Sequence, residues 1–234
     1  LSADNAVLAF NEHLFSKLPF NPEKDFTYIG AIGKFPLALV VHPDFPAKNF
    51  KDFLAYVKAN PGKVNYASPG NGSPHHLAME MFKVRTGTFI THIPYRGAAP
   101  AMADVMGGQV PCMFLDLASG LSIMQSNKVR VLAIGSGARS KLLPNVPTLA
   151  EVGVPNTEVF AFQGILGPAG LPPAVVSKLN GDLNKAFGTP AVQKRFEDFG
   201  MEAMPGTPAQ FAALSRAESN RWGPIIKQAG IKLD

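Results

Sequence analysis

A chain of 234 residues has room for one domain or two small lobes with a sizeable core. An apolar fraction of 46% with a mean hydropathy of +0.08 describes an ordinary globular protein, and no apolar run reaches membrane-spanning length. The net charge of +5 comes without basic runs longer than a pair or interleaved aromatic residues, so it argues for a solvated surface rather than a nucleic-acid partner.

The single cysteine, Cys112, excludes an internal disulfide and a cysteine-rich metal site. In Val110-Pro-Cys-Met-Phe114 it reads as a small buried hydrophobe.

The first strong element is Leu37–Val41, a continuous apolar run typical of a strand buried on both faces. Asn49 then reads as the cap of a helix over residues 50–59, with Phe53, Leu54 and Val57 on one side and Asn60-Pro-Gly as its stop. Val64–Ala67 is a short strand. It leads into Ser68-Pro-Gly-Asn-Gly-Ser73 and an amphipathic run carrying Leu77, Met81 and Val84.

Within that loop, Gly70 and Gly72 permit positive φ and close approach of a ligand to the main chain. Ser73 followed by Pro74 reads as an N-cap with proline at the first helical position. A helix start of this kind offers unpaired N–H groups and the positive end of the dipole, which suits a carboxylate or phosphate. The plainer reading is a tight strand-to-helix turn. The loop alone favours that one, since it is neither a Walker loop nor a G-x-G-x-x-G.

The same grammar then repeats. A strand over residues 89–93 precedes Tyr95-Arg-Gly-Ala-Ala-Pro100 and a helix that stops at Gly107-Gly108, so the amides of Gly97, Ala98 and Ala99 form a second anion-friendly start. Strands at 112–116 and 129–134 flank a helix over 118–125. The alternation of strand and helix predicts a mostly parallel sheet with helices on both faces. The C-terminal third adds an apolar strand at 160–166 and a rigid Gly167-Pro-Ala-Gly-Leu-Pro-Pro173 turn. Three helices follow: 174–187, 190–199 capped by Thr189, and one from Pro208, capped by Thr207, toward Lys227.

Asp116 sits at a strand's C-terminal end, where doubly wound sheets meet their ligands, and it also reads as a cap for the amides of Ala118 or Ser119. His75 and His76 are adjacent on a helix start, so their rings diverge by about 100° and cannot both face one metal. No H-E-x-x-H or cysteine pair supports zinc. One of the two histidines points into a crevice and the other is packed or solvated. His92, beside Pro94, reads as a strand residue with a satisfied ring.

A hydrolase would use Ser73 as nucleophile, His76 as base and Asp116 as orienter. Ser73 lacks the G-x-S-x-G elbow, and residues three apart on a helix meet without any catalytic purpose.

Both loop segments, Tyr66–Phe82 and His92–Val110, resemble the signature of the Bug/TctC family, the solute-binding proteins of tripartite tricarboxylate transporters. The similarity runs in order through Leu18–Phe26, Leu143–Gly153, Gly167–Asn180 and Trp222–Ile231, and so covers essentially the whole chain.

The resemblance implies a two-lobed type II periplasmic-binding fold. One lobe would hold residues 1–42 with 159–234 and the other 43–158, with chain crossings near 42 and 158 as a hinge. It implies capture of a small mono- or dicarboxylate for a membrane permease, with no catalysis, no cofactor and no metal. It also implies a periplasmic location, which rests on the resemblance alone since no leader pattern is visible at Leu1. The ligand residues expected are Ser68, Gly70, Gly72, Ser73, His76, Gly97, Ala98, Ala99 and Asp116. Ser2 and Ala3 join them as the end of a third loop.

The family pattern normally opens with further strand–helix units before a segment like Leu1–Ala6. The first lobe is therefore expected to be incomplete, by roughly a quarter of the usual protein. A serine esterase or amidase using Ser73 and a ligand sensor of the same fold are the competing readings.

Overall fold

The computed structural model describes residues 1–234, which divide into two compact units. Leu1–Phe35 and Ala161–Asp234 make up unit 1, and Pro36–Phe160 makes up unit 2.

In unit 1, β1 (Ser2–Asp4) pairs antiparallel with β7 (Phe160–Pro168), in the register Ser2↔Ile165, Ala3↔Gly164, Asp4↔Gln163. The nitrogen of Leu1 donates to the Leu166 carbonyl at 3.0 Å, which extends the pairing of β1 with β7 by one bond. Asp4 Oδ1 then accepts from the amides of Ala6 and Val7, which starts a π-helical turn at Ala6–Phe10 running into α1 (Asn11–Leu14).

The core of unit 1 forms where α8 (Pro208–Ala229) packs on this segment. Trp222 meets Phe10 edge-on at 5.3 Å and donates its indole N–H to Glu218. Phe211 packs against Tyr28 and Phe162 and fills the space above Gly164.

The helices α6 (Pro173–Phe187) and α7 (Pro190–Asp198) lie where the sequence places them, but neither has a buried residue. Asn180 and Asn184 tie α6 down through the carbonyls of Ile29 and Gly206.

The long strand β2 (Phe26–Val41) begins in unit 1, where it pairs with β8 (Glu202–Ala203), and continues into unit 2. Only its last residues were legible as a strand. The preceding Phe26–Pro36 mixes exposures and carries two glycines and a proline, which mask the pattern.

In unit 2, β2 runs antiparallel to β5 (Cys112–Asp116) and to β6 (Arg130–Ile134). Next to β5 stands β3 (Asn65–Ser68), parallel to it and to the outer β4 (Thr91–Pro94). β4 starts later than the run from Phe89 suggests, because the Phe89 carbonyl is taken by the Gly62 amide and its ring is exposed.

Every residue of β5 is buried, and its side chains alternate between two packed faces. Met113 and Leu115 join Ala101 and Val105 of α4 (Ala98–Met106) and Leu117 and Met124 of α5 (Leu117–Gln125). Phe114 faces Phe82 of α3 (Pro74–Thr86), which packs on Phe50 and Phe53 of α2 (Phe50–Ala59). Helices therefore cover both faces, as in the α/β class expected. Cys112 is buried at the start of β5, where burial pushes its thiol well above the usual range.

Candidate functional site

The parallel strands β5, β3 and β4 end at Asp116, Ser68 and Pro94, and each is followed directly by a helix. Three helix N-termini, those of α5, α3 and α4, thus stand side by side at one edge of unit 2.

The two glycine loops are joined to each other. Tyr95 N–H donates to the Ser68 carbonyl and Gly97 N–H to the Pro69 carbonyl, both at 2.9 Å. Gly72 has φ +75° and Gly97 φ +120°, conformations that L side chains rarely adopt.

Most of the amides that the sequence offers to an anion are already used. Gly70 N–H donates to Ser68 Oγ, Ser73 N–H to the Gly70 carbonyl, and Gly72 N–H to Nδ1 of His76 at 3.0 Å. Ser73 caps α3 as expected: its Oγ accepts from the His76 amide and donates to the Gly70 carbonyl at 2.8 Å. Ser68 is fully buried, and its hydroxyl is shared between Gly70 and His92 Nε2.

At the start of α4 the accounting differs. Gly97 supplies no side-chain cap and Pro100 has no N–H, so the amides of Ala98 and Ala99 have no protein partner.

Asp116 caps α5 as anticipated, with Oδ1 accepting from Ser119 N–H at 2.8 Å. Its Oδ2 takes the Ser119 hydroxyl at 2.6 Å and Nε2 of His75 at 3.0 Å. Burial alone would raise this carboxyl. The bonds from His75 and Ser119 outweigh it and hold the group down at about 2.

The histidine that meets Asp116 is therefore His75, whose Nδ1 is buried without a partner, and not His76. The HH pair gave the position, but nothing in the sequence said which ring lies over Asp116. The deciding angle is set by where α3 sits between β3 and β5.

His76 lies on the inner side of α3. Its ring stacks on His92 with centroids 4.0 Å apart and planes 8° apart, and His92 in turn stacks on Tyr66 at 4.7 Å. Tyr66 donates to Glu80 Oε1 at 2.5 Å, and Lys83 bonds both Glu80 oxygens at 2.7 and 2.8 Å.

The serine hydrolase arrangement is not assembled. Ser73 Oγ bonds backbone groups, His76 Nδ1 is occupied by Gly72, and Asp116 orients a different histidine. Ser2 and Ala3 lie in β1 of unit 1, apart in the chain from these loops. No three His, Cys, Asp or Glu side chains are grouped as metal ligands.

A parallel sheet whose loop ends are glycine-rich and whose helix starts carry unbonded amides defines a class of ligand-binding α/β unit. Residues 2–231 match the family model described as the tripartite tricarboxylate transporter family receptor, TctC, and the chain belongs to that family of solute-binding receptors, which are not enzymes.

Among curated relatives, Protein BugT of Bordetella pertussis is 34% identical over 233 residues, covering 100% of this chain and 72% of BugT. The solved structure of R. palustris Rpa4515 with adipate superposes with a TM-score of 0.92 at 29% identity, over 99% of this chain and 78% of that one. MatC from Rhodopseudomonas palustris with bound malate gives 0.87 at 28% identity, over 96% and 78%. These neighbours place the fold in the type II periplasmic-binding class.

Proposed function

We propose that this chain captures a small mono- or dicarboxylate in the periplasm and delivers it to the membrane permease of a tripartite tricarboxylate-type transporter. The observation that carries the reading is the pair of unbonded amides, Ala98 and Ala99, at a helix start beside two further helix starts. A carboxylate presents two acceptor oxygens, which is the complement that two adjacent N–H groups and a positive dipole end require.

The Ser73 side of the loop supplies polar neighbours for the rest of the ligand. Gly70, Gly72 and Gly97 keep side chains away from it. Family membership supports the receptor role, and the adipate and malate in the two R. palustris neighbours support the carboxylate class. No helix is long and apolar enough to cross a membrane.

Calorimetry against adipate, malate and a monocarboxylate panel, run beside ester and amide hydrolysis assays, tests it. Saturable binding of at least one acid without turnover is the expected result. Esterase turnover that disappears in Ser73→Ala would overturn it.

A further inference from the structure

Beneath the glycine loop lies a polar layer that the proposed ligand contacts do not use: buried Tyr66 of β3 and His76 and Glu80 of α3, with half-buried His92 of β4 and Lys83 of α3. Its two imidazoles each hold one side of the loop. His92 Nε2 bonds the Ser68 hydroxyl at 2.6 Å, and His76 Nδ1 accepts the Gly72 N–H at 3.0 Å.

An imidazole nitrogen that accepts carries no proton, so His76 is neutral with its proton on Nε2, facing Glu80 Oε1 at 4.0 Å. In a trans peptide the N–H and the preceding C=O point in opposite directions. Fixing Gly72 N–H inward on His76 therefore turns the Asn71 carbonyl away from it, and sets the outer face of the loop.

We infer that His76 and His92 are positioning residues: a stacked pair of imidazoles that locks the Ser68–Ser73 loop in its ligand-ready form. The role rests on the carboxylate-binding reading above, yet it differs from the ligand contact expected of His76, because this ring acts through Gly72. The stack explains why the layer holds imidazoles. A flat ring fits between Tyr66 and the loop, and its edge supplies an acceptor to a buried amide that would otherwise be unpaired.

Burial together with the neighbouring Lys83 lowers His76 to about 4, and burial together with His76 lowers His92 to about 4. Glu80 and Lys83 of α3, Tyr66 of β3 with Cys112 of β5 beyond it, and His92 of β4 are the charged and titratable groups around His76. Protonating His76 would place an N–H against the Gly72 N–H. The peptide would then have to turn, and the loop would lose its form.

The test combines nuclear magnetic resonance with titration calorimetry on the whole chain at pH 7. A nitrogen–nitrogen coupling across the Gly72–His76 hydrogen bond is expected, and it should vanish as pH falls through about 4. In His76→Leu, Gly72 amide exchange should rise and adipate or malate affinity should fall about tenfold. The variant His76→Asn, whose amide oxygen can accept the same N–H, should stay within about threefold of the parent.

Absence of the coupling, or a folded His76→Leu that keeps parental exchange and affinity, would overturn the inference. Should the parent bind neither acid while the coupling and the exchange difference persist, the carboxylate reading fails and the locking role stands.

Discussion

At the scale of single residues, the chemistry of the site turns on which polar groups are already spent. Asp116 directs both oxygens inward, to Ser119 and His75, so it acts by orienting His75 and starting α5. Asp116→Ala removes a helix cap and leaves both nitrogens of a buried imidazole unpaired, which should cost about 2–4 kcal/mol in a denaturant titration. Asp116→Asn keeps an N-cap acceptor and should cost less.

Because the folded-state value of Asp116 is depressed, its contribution is fully present above about 3.8 and is lost as pH falls toward about 2. Gly72→Val faces a different barrier, since φ +75° is unfavourable for a β-branched residue by roughly 1–2 kcal/mol. The variant should remain folded, because the strain falls on a loop and not on the core, and should lose acid binding. Unchanged affinity in a folded Gly72→Val would reduce the loop to a turn.

The loop residues themselves were legible in the sequence, because glycine, serine and proline mark turns and caps by mechanism. Their hydrogen-bond partners were not. The choice between His75 and His76, and the withdrawal of the Gly72 amide from solvent, depend on a helix rotation fixed by Phe82 and Phe114 far from the loop.

At the scale of elements, the two threonine caps read alike in sequence but differ in the fold. Thr207 forms a full capping box, accepting from the Gln210 amide while Gln210 Oε1 accepts from the Thr207 amide. Thr189 occupies the same position before α7, but its hydroxyl donates back to the Ala186 carbonyl at 2.8 Å and caps nothing. The preceding helix ends only at Phe187, so its last carbonyls compete for that hydroxyl. Thr207→Ala should therefore lower stability by about 1 kcal/mol, and Thr189→Ala by a few tenths at most. Equal losses in thermal melting would contradict the assignment.

Packing constrains the glycines of the interior in the same way. A Cβ at Gly120 of α5 would meet Leu115 of β5 at 2.4 Å, so the close approach of α5 to the sheet depends on that residue. Strand ends proved harder to read than helix starts. Phe26–Pro36 belongs to the same strand as Leu37–Val41, yet its buried positions (Ile29–Ala31, Gly33 and Pro36) are interrupted and include two glycines and a proline, so they leave no strand pattern.

At the scale of the molecule, His76 and His92 of unit 2 couple stability to pH. Both sit at about 4 in the folded chain against 6.5 when unfolded, so the unfolded state binds more protons between those values. Stability should fall on acidification through that window, by roughly 3 kcal/mol from His76 alone, and the slope should flatten in His76→Asn. A melting temperature that stays level from pH 6.5 to 4 would show the two rings to be charged or exposed.

The α/β class and the order of elements were readable from Leu37 onward, apart from the two-residue β8, since alternating strands and helices leave a periodic trace. The units divide at Phe35–Pro36 and Phe160–Ala161, inside the unbroken strands β2 and β7, whereas the crossings implied by the family resemblance lie near 42 and 158.

The central claim is that the α4 helix start receives a carboxylate. Amide chemical shifts of Ala98 and Ala99, followed by nuclear magnetic resonance while adipate or malate is added, address it directly. Two new charge-assisted hydrogen bonds predict saturable downfield shifts at both amides, larger than those of the bonded Gly70 and Gly72 amides. Binding that leaves the Ala98 and Ala99 resonances in place would contradict the account.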